Sequence, residues 1–213
     1  MLLTIAGSSC SGKTTAARAC ASIDGLVVHD FDEIGVPSGA DRQWRHRSTE
    51  EWIRRVLRYQ SDGVDVLLTG QSPLGEVLAS PSATALTGIA ACLLDVDDEV
   101  RLRRLDERDP GKWSPAEKRA FLGWARWLRG HAHDPRHLPE AITDGWEPMR
   151  WDRWIGWTGA DPRWAVRVID TTGRTREQTA ADIRHWVADA RAEFASGRLG
   201  LAGDWATTPV PSG

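Results

Sequence analysis

Residues 2–15 read Leu2-Leu-Thr-Ile-Ala6-Gly7-Ser8-Ser9-Cys10-Ser11-Gly12-Lys13-Thr14-Thr15. The opening is a short apolar, β-prone run, and Gly7 to Thr14 match the pattern G-x-x-x-x-G-K-[ST] in full. The Ala-rich stretch Ala16 to Ala21 that follows suits a helix. Strand, glycine turn and helix, in that order, are the setting in which this pattern binds phosphate. Glycines let successive backbone N–H groups converge on phosphate oxygens, and the helix N-terminus adds the positive end of its dipole. Lys13 supplies a point charge for β- and γ-phosphates, and the Thr14 hydroxyl can sit on a magnesium ion. The candidate site for a nucleoside triphosphate is therefore Gly7, Ser8, Ser9, Cys10, Ser11, Gly12, Lys13, Thr14 and Thr15.

Working outward, Gly25 to Asp30 is a second apolar run that ends in the acidic cluster Asp30-Phe31-Asp32-Glu33. Carboxylates two residues apart in an extended chain point the same way, here toward the strand's carboxyl edge, where open parallel sheets bind ligands. One such acid can accept the proton of a substrate hydroxyl while its neighbour holds a magnesium-bound water. The plainer alternative is an acidic turn that caps the next segment. Val64 to Thr69 and Gly88 to Val96 are strand candidates too apolar to face water on either side, which predicts a parallel sheet covered by helices. Trp164 to Asp170 is a fifth strand candidate. Helices are predicted from the capping box Ser48-x-x-Glu51 to Gln60, from Asp97 to Asp109, from Ser114-Pro-Ala-Glu117 to about Gly130, and from Thr175 onward. In the last of these, Ile183, Val187, Ala190 and Phe194 line one stripe. Residues 131–163 show poor periodicity and predict irregular structure; residues 196–213 hold Gly, Pro and Thr and predict a flexible tail.

A chain of 213 residues is long enough for one α/β domain with an insertion, and too short for a second full domain. Hydrophobic residues at 41% and charged ones at 27% exclude collagenous, fully disordered and membrane classes. No run of about 18 apolar residues occurs, and Met1 to Cys10 has no positive n-region, so the chain is expected in the cytoplasm with no membrane partner. The balance of 27 Lys+Arg against 30 Asp+Glu gives no reason to expect nucleic acid. Cys10, Cys20 and Cys92 are an odd set without a C-x-x-C pair and read as reduced thiols.

Four segments together carry a resemblance: GSSCSGKT after the first strand, HDFDEIGVP at the end of the second, ACLLDVDDEVRLRRLDERD from the fourth, and VIDTTGRTREQTAADI at the last. They resemble the P-loop kinases of small molecules, a group that includes shikimate, gluconate and uridine kinases, nucleotide kinases and chloramphenicol phosphotransferase. The likeness covers about residues 1–108 and 164–194 and has no counterpart for the Trp-rich stretch between. It implies an α/β P-loop NTPase fold: a five-stranded parallel sheet in order 2-3-1-4-5, helices on both faces, and an Arg-bearing lid after the fourth strand. The Arg/Trp-rich segment 97–163 is accordingly expected to be a helical lid and substrate-covering insertion in a domain spanning 1–195. The resemblance further implies ATP and Mg2+ as cofactors, Asp32 as catalytic base, Asp30 with Thr14 at the metal, and Thr172 in a loop near the adenine.

The third strand ends at Thr69-Gly70-Gln71 without the acid that a hydrolytic motor or switch would carry there, and Gly70 and Gln71 suit either reading a substrate's polar groups or an ordinary strand-to-helix turn. The chain has no Asn, so the guanine-reading Asn-Lys-x-Asp pattern of GTPases cannot occur. After the fourth strand, Arg101, Arg104 and Arg108 share one helix face, and Arg104 and Arg108 are the candidates for neutralising a phosphoryl group in transfer. Arg126 and Arg129 are secondary candidates. The cluster His131, His133, Asp134 and His137 lacks a helical i, i+4 ligand pair and favours a turn over a zinc site. Trp124, Trp127, Trp146, Trp151, Trp154 and Trp157 suit either packing beneath a long loop or an aromatic wall for a planar or sugar-bearing acceptor. The sequence thus points to γ-phosphoryl transfer onto a hydroxyl of a small polar acceptor. Two readings compete: a nucleotide monophosphate kinase using Arg42, Arg45 or Arg47, with Arg45 the acceptor-binding candidate, and a nucleotide-binding interaction module without catalysis. Homodimerisation stays open.

Overall fold

The computed structural model describes residues 1–207. Five parallel strands, β1 (Leu2–Ala6), β2 (Leu26–Asp30), β3 (Asp65–Gly70), β4 (Ile89–Asp95) and β5 (Val166–Asp170), form one sheet in the order β2-β3-β1-β4-β5. The most apolar runs take the centre: β1 and β4 are buried at every residue, because a parallel sheet sandwiched between helices offers its inner strands no wet face. The edge strands β2 and β5 are only partly buried.

Among the described residues six α-helices accompany the sheet: α1 (Lys13–Arg18), α2 (Arg42–Ser61), α3 (Leu74–Ala79), α4 (Asp98–Arg108), α5 (Pro115–His133) and α6 (Arg176–Ala195). Alternate strand residues feed two apolar layers. Leu3, Ile5, Leu67, Cys92 and Leu94 pack against α1 and α6 through Ala16, Ala17, Ile183, Trp186 and Val187. Leu2, Val66, Leu68 and Ile89 pack on the other face against α2, α3 and α5 through Trp52, Val56, Leu78, Trp127 and Leu128. Helices therefore cover both faces of the sheet, as the apolar strands require.

Three differences from the sequence reading have identifiable causes. α2 starts at Arg42, not at Ser48: the Asp41 carboxylate accepts from the Trp44 amide at 2.7 Å and caps the helix, while Ser48 and Glu50 lie buried in its middle. α3 carries no periodic signal because all six of its residues, the charged Glu76 among them, are buried, so no exposed polar face gives it an amphipathic period. The expected tail does not begin at 196 within the described residues. Leu201 and Trp205 are buried at 4% and 2% exposure, Ile89 donates to the Leu201 carbonyl at 2.9 Å, and Arg163 donates to that of Trp205 at 3.0 Å. A Trp indole is too much apolar surface to leave wet when a groove is within reach. Residues 208–213, the rest of that expected tail, lie outside the described residues.

Residues 134–165 are irregular, with short 3-10 turns at Pro139–Ala141 and Trp151–Arg153. Their tryptophans are packing residues: Trp154, Trp157 and Trp164 are buried together with Trp127, and Trp124, Trp146 and Trp151 lean on that cluster. His131 sits among them, stacked on Trp127 at 4.6 Å, and burial pushes its pKa down to about 4. No group of three or more His, Cys, Asp or Glu able to hold a metal exists among the described residues. No helix of the described residues is long and apolar enough to cross a membrane.

Candidate active site

A cleft of about 1110 Å³ opens at the carboxyl edge of the sheet, where β1 runs into α1 and β2 and β3 end. Residues 9–15 of the glycine turn line it, together with Asp30, Asp32, Gly70 and Gln71 from the strand ends. Gly7 and Ser8 lie beneath it. A Cβ on Gly7 would stand 2.5 Å from the Leu94 carbonyl, so only glycine lets the turn pass this close to β4. Gly12 (φ 94°) and Cys10 (φ 62°) take left-handed backbone, the conformation that turns successive N–H groups into one concave nest.

The outer side of this loop is held from four directions. Ser8 Oγ donates to the Phe121 carbonyl on α5 at 2.9 Å. The Ser9 carbonyl accepts from Arg101 at 2.6 Å, that of Cys10 from Arg104 at 3.3 Å, and that of Ser11 from the Thr171 hydroxyl at 3.3 Å. The Ser11 amide bonds back to the Ser8 carbonyl at 3.4 Å; with the carbonyls of Ser9, Cys10 and Ser11 held by these donors, the amides at the N-terminus of α1 are left for an anion. Lys13 leans back onto the Ser8 carbonyl at 3.3 Å. Burial of its ammonium pulls its pKa down to about 8, against the opposing attraction of Asp30.

Asp30 and Asp32 do not share an extended strand. β2 stops at Asp30, whose side chain accepts from the Asp32 amide at 3.1 Å while Glu33 reaches back to the Asp30 amide at 2.9 Å, a capping box that winds Phe31–Ile34 into a 3-10 turn. The other oxygen of Asp30 accepts from the Thr14 hydroxyl at 2.8 Å and from Thr69 at 3.1 Å. Thr14 and Asp30 thus present oxygens side by side, the donor type a magnesium ion takes, with room in the cleft for waters and phosphate oxygens to complete an octahedron. Asp32 stands open to the cleft, and its pKa is raised by partial burial and by the neighbouring Asp30 charge, with Lys13 opposing. Gly70 brings β3 against Phe31, where a Cβ would meet that ring's own Cβ at 2.8 Å.

Among the arginines, Arg104 and Arg108 line the cleft; Arg104 donates to Thr171 as well as to Cys10, and Arg108 pairs with Asp109 at 2.8 Å. Arg126 and Arg129 turn instead to Asp98, and Arg129 also reaches Asp95 at 2.5 Å. Thr172 is not part of the lining, and its hydroxyl accepts from the Asp97 amide at 2.8 Å; its neighbour Thr171 lines the cleft. Arg42 and Arg45 both line the cleft, Arg42 also reaching carbonyls of Glu140 and Asp144, and Arg47 is outside the lining. Two residues were not singled out from sequence. Arg101 is wholly buried, bridging Ser9 to Asp95, and its register with Arg104 on one helix face was the available signal. Glu76, also wholly buried, grips Arg45 across 31 residues of chain, and nothing local announces it.

Sheet order, glycine turn and flanking arginines together give this chain the α/β fold of the P-loop kinases. In overall structure it is similar to a sugar kinase from Janibacter sp. HTCC2649 (TM-score 0.59, 17% identity, 90% of this chain and 96% of that one). It is also similar to a gluconokinase from Sinorhizobium meliloti 1021 (0.51, 14%, 90% and 95%) and to thymidylate kinase from Candida albicans (0.50, 11%, 89% and 92%). At such identities the likeness is one of fold. No family model and no curated protein sequence matches the chain.

Proposed function

We propose that this protein transfers the γ-phosphoryl group of ATP to a hydroxyl of a small polar acceptor, nucleoside- or antibiotic-like. The observation that carries the reading is the pairing of Thr14 with Asp30 beside Lys13, with Asp32 open to the same cleft 2 residues further on. Loop amides and Lys13 hold the β- and γ-phosphates, and Thr14 and Asp30 hold Mg2+. The ion's chemistry there is to offset charge on phosphate oxygens. Asp32 orients the acceptor hydroxyl and takes its proton; its raised pKa makes it a better proton acceptor than an ordinary aspartate. Arg104 and Arg108, which line the cleft from α4, supply donors to the transferring group. The names of the structural neighbours, sugar kinase and gluconokinase among them, support a phosphotransferase.

Asp32→Asn tests the reading. Acceptor-dependent ADP release should fall by roughly 10²–10⁴ while binding of an ATP analogue stays within about twofold. Unchanged turnover in that variant would remove Asp32 as the base. No ADP release from wild type with any acceptor, despite nucleotide binding, would instead favour a non-catalytic binding module.

A further inference from the structure

The acceptor half of the cleft has an unusual charge arrangement. Three arginines of α2, Arg42, Arg45 and Arg47, are near enough in sequence to serve an anionic acceptor. Arg47 does not line the cleft; Arg42 does, with its Nη1 on the carbonyls of Glu140 and Asp144 at 3.5 and 3.4 Å and 4.0 Å from the Asp144 carboxylate. Arg45 also lines it, but its Nε lies 2.8 and 3.0 Å from the two carboxylate oxygens of Glu76 and its Nη2 lies 2.5 Å from one of them. Glu76 is 0% exposed and His46, 3.5 Å away, is equally buried, so this carboxylate has no water to turn to and depends on Arg45 for its charge balance. The Trp124 ring under the guanidinium, 5.0 Å from its carbon, fixes it further.

Arg45 consequently offers the cleft an N–H donor without net charge. The carboxylates of Asp32 and Asp41 line the same cleft. A carboxylate or phosphate entering beside Arg45 would be stripped of water next to two carboxylates, with Arg45 matched by Glu76 and Arg42 shared among the Glu140 and Asp144 carbonyls and, at 4.0 Å, the Asp144 carboxylate. A neutral ring carrying hydroxyls meets donors in Arg45 and Gln71 and acceptors in Asp32 and Asp41. It also meets an indole for its apolar face in Trp44, which lines the cleft and is braced edge-on by Phe31 at 5.9 Å.

We propose that the acceptor is an uncharged, hydroxyl-bearing ring compound, and that Glu76 acts as a positioning residue that sets this preference by holding Arg45 as a charge-matched donor. The proposal rests on the phosphotransferase reading and narrows its acceptor. It sets aside the monophosphate-kinase alternative, whose acceptor is an anion.

The test uses the full chain with Mg-ATP and matched acceptor sets: aldoses beside their aldonates and phosphate esters, and nucleosides beside their monophosphates. ADP release gives kcat and KM. Thermal shift with a non-hydrolysable ATP analogue present reads acceptor binding without turnover. Within at least one set the uncharged member should exceed its anionic counterparts by tenfold or more in kcat/KM, and it alone should raise Tm. In Glu76→Gln the Arg45 charge is released, and that ratio should shrink at least tenfold through the acceptor KM. Arg45→Lys keeps the cation and loses the fork. It should raise KM for the uncharged member about tenfold, leave analogue binding unchanged, and carry the test if Glu76→Gln does not fold. Turnover confined to anionic members, or a ratio that neither variant alters, overturns this inference and leaves the phosphotransferase reading standing. Analogue binding without turnover or thermal shift from any compound overturns both.

Discussion

Lys13 shows how a single residue trades fold stability for function. Its ammonium is held in the cleft at a pKa of about 8 instead of its ordinary 10.5, so the charged form is penalised in the folded state. Because the folded pKa is the lower one, the penalty is fully present below pH 8 and fades as pH rises toward 10.5. Lys13→Met should therefore raise the nucleotide-free Tm by a few degrees at pH 7, with the gain vanishing at alkaline pH and with the Tm increase caused by an ATP analogue abolished; calorimetry across pH checks both. Asp32 gives a prediction of the opposite sense. Its pKa is raised by burial and by Asp30, and the base must be ionised to accept a proton. The acid limb of kcat/KM should lie above the value of an unperturbed aspartate, with activity lost as pH falls through it, and Asp32→Asn should erase that limb from the residual rate. That Lys13, Thr14, Asp30 and Asp32 meet in one cleft was legible in sequence, because a turn and a strand end place them at the same edge of the sheet. Glu76 was not, since its partner arrives from a different helix.

Between elements, α4 does more than was expected of a covering segment. Its Arg101 is buried and donates to the Ser9 carbonyl and to Asp95, so one guanidinium ties α4 to both the glycine turn and the end of β4. Arg101→Met should cost about 3 kcal/mol, since it leaves Asp95 short of a buried partner, and should lower Tm by roughly 10 °C. Nucleotide affinity should fall with it, because the Ser9 carbonyl is no longer held; titration of an ATP analogue reads that loss. Arg104→Met, at a half-buried position bonded to neutral oxygens, should weaken nucleotide binding with a much smaller change in Tm. From sequence the three arginines share one face, with Arg104 and Arg108 the candidates for the nucleotide and no sign that Arg101 is buried. Burial separated them, and burial is a property of the neighbouring β-strand and loop, not of the helix that bears the residues.

For the molecule as a whole, the C-terminal segment is part of the fold up to the last described residues. Trp205 fills the aromatic cluster edge-on to Trp157 at 6.2 Å, and its carbonyl accepts from Arg163, which stacks on Trp157 at 3.9 Å. Trp205→Ala should lower stability by about 3–5 kcal/mol and Tm by roughly 10 °C, with the KM for ATP unchanged because the cluster does not line the nucleotide half of the cleft. A KM that moved along with Tm would mean the segment communicates with the site. The sequence by itself determined the parallel sheet, its order through the likeness of its segments, the phosphate-binding turn and the acids beside it, because each is written in residues close together in the chain. Only the tertiary structure decided which arginines face the cleft, that Arg45 is held by a buried carboxylate, and that the tryptophans and the C-terminal segment form core. Those outcomes depend on which surfaces meet across tens of residues, and solvent exclusion acts on the meeting surfaces, not on the order of the chain.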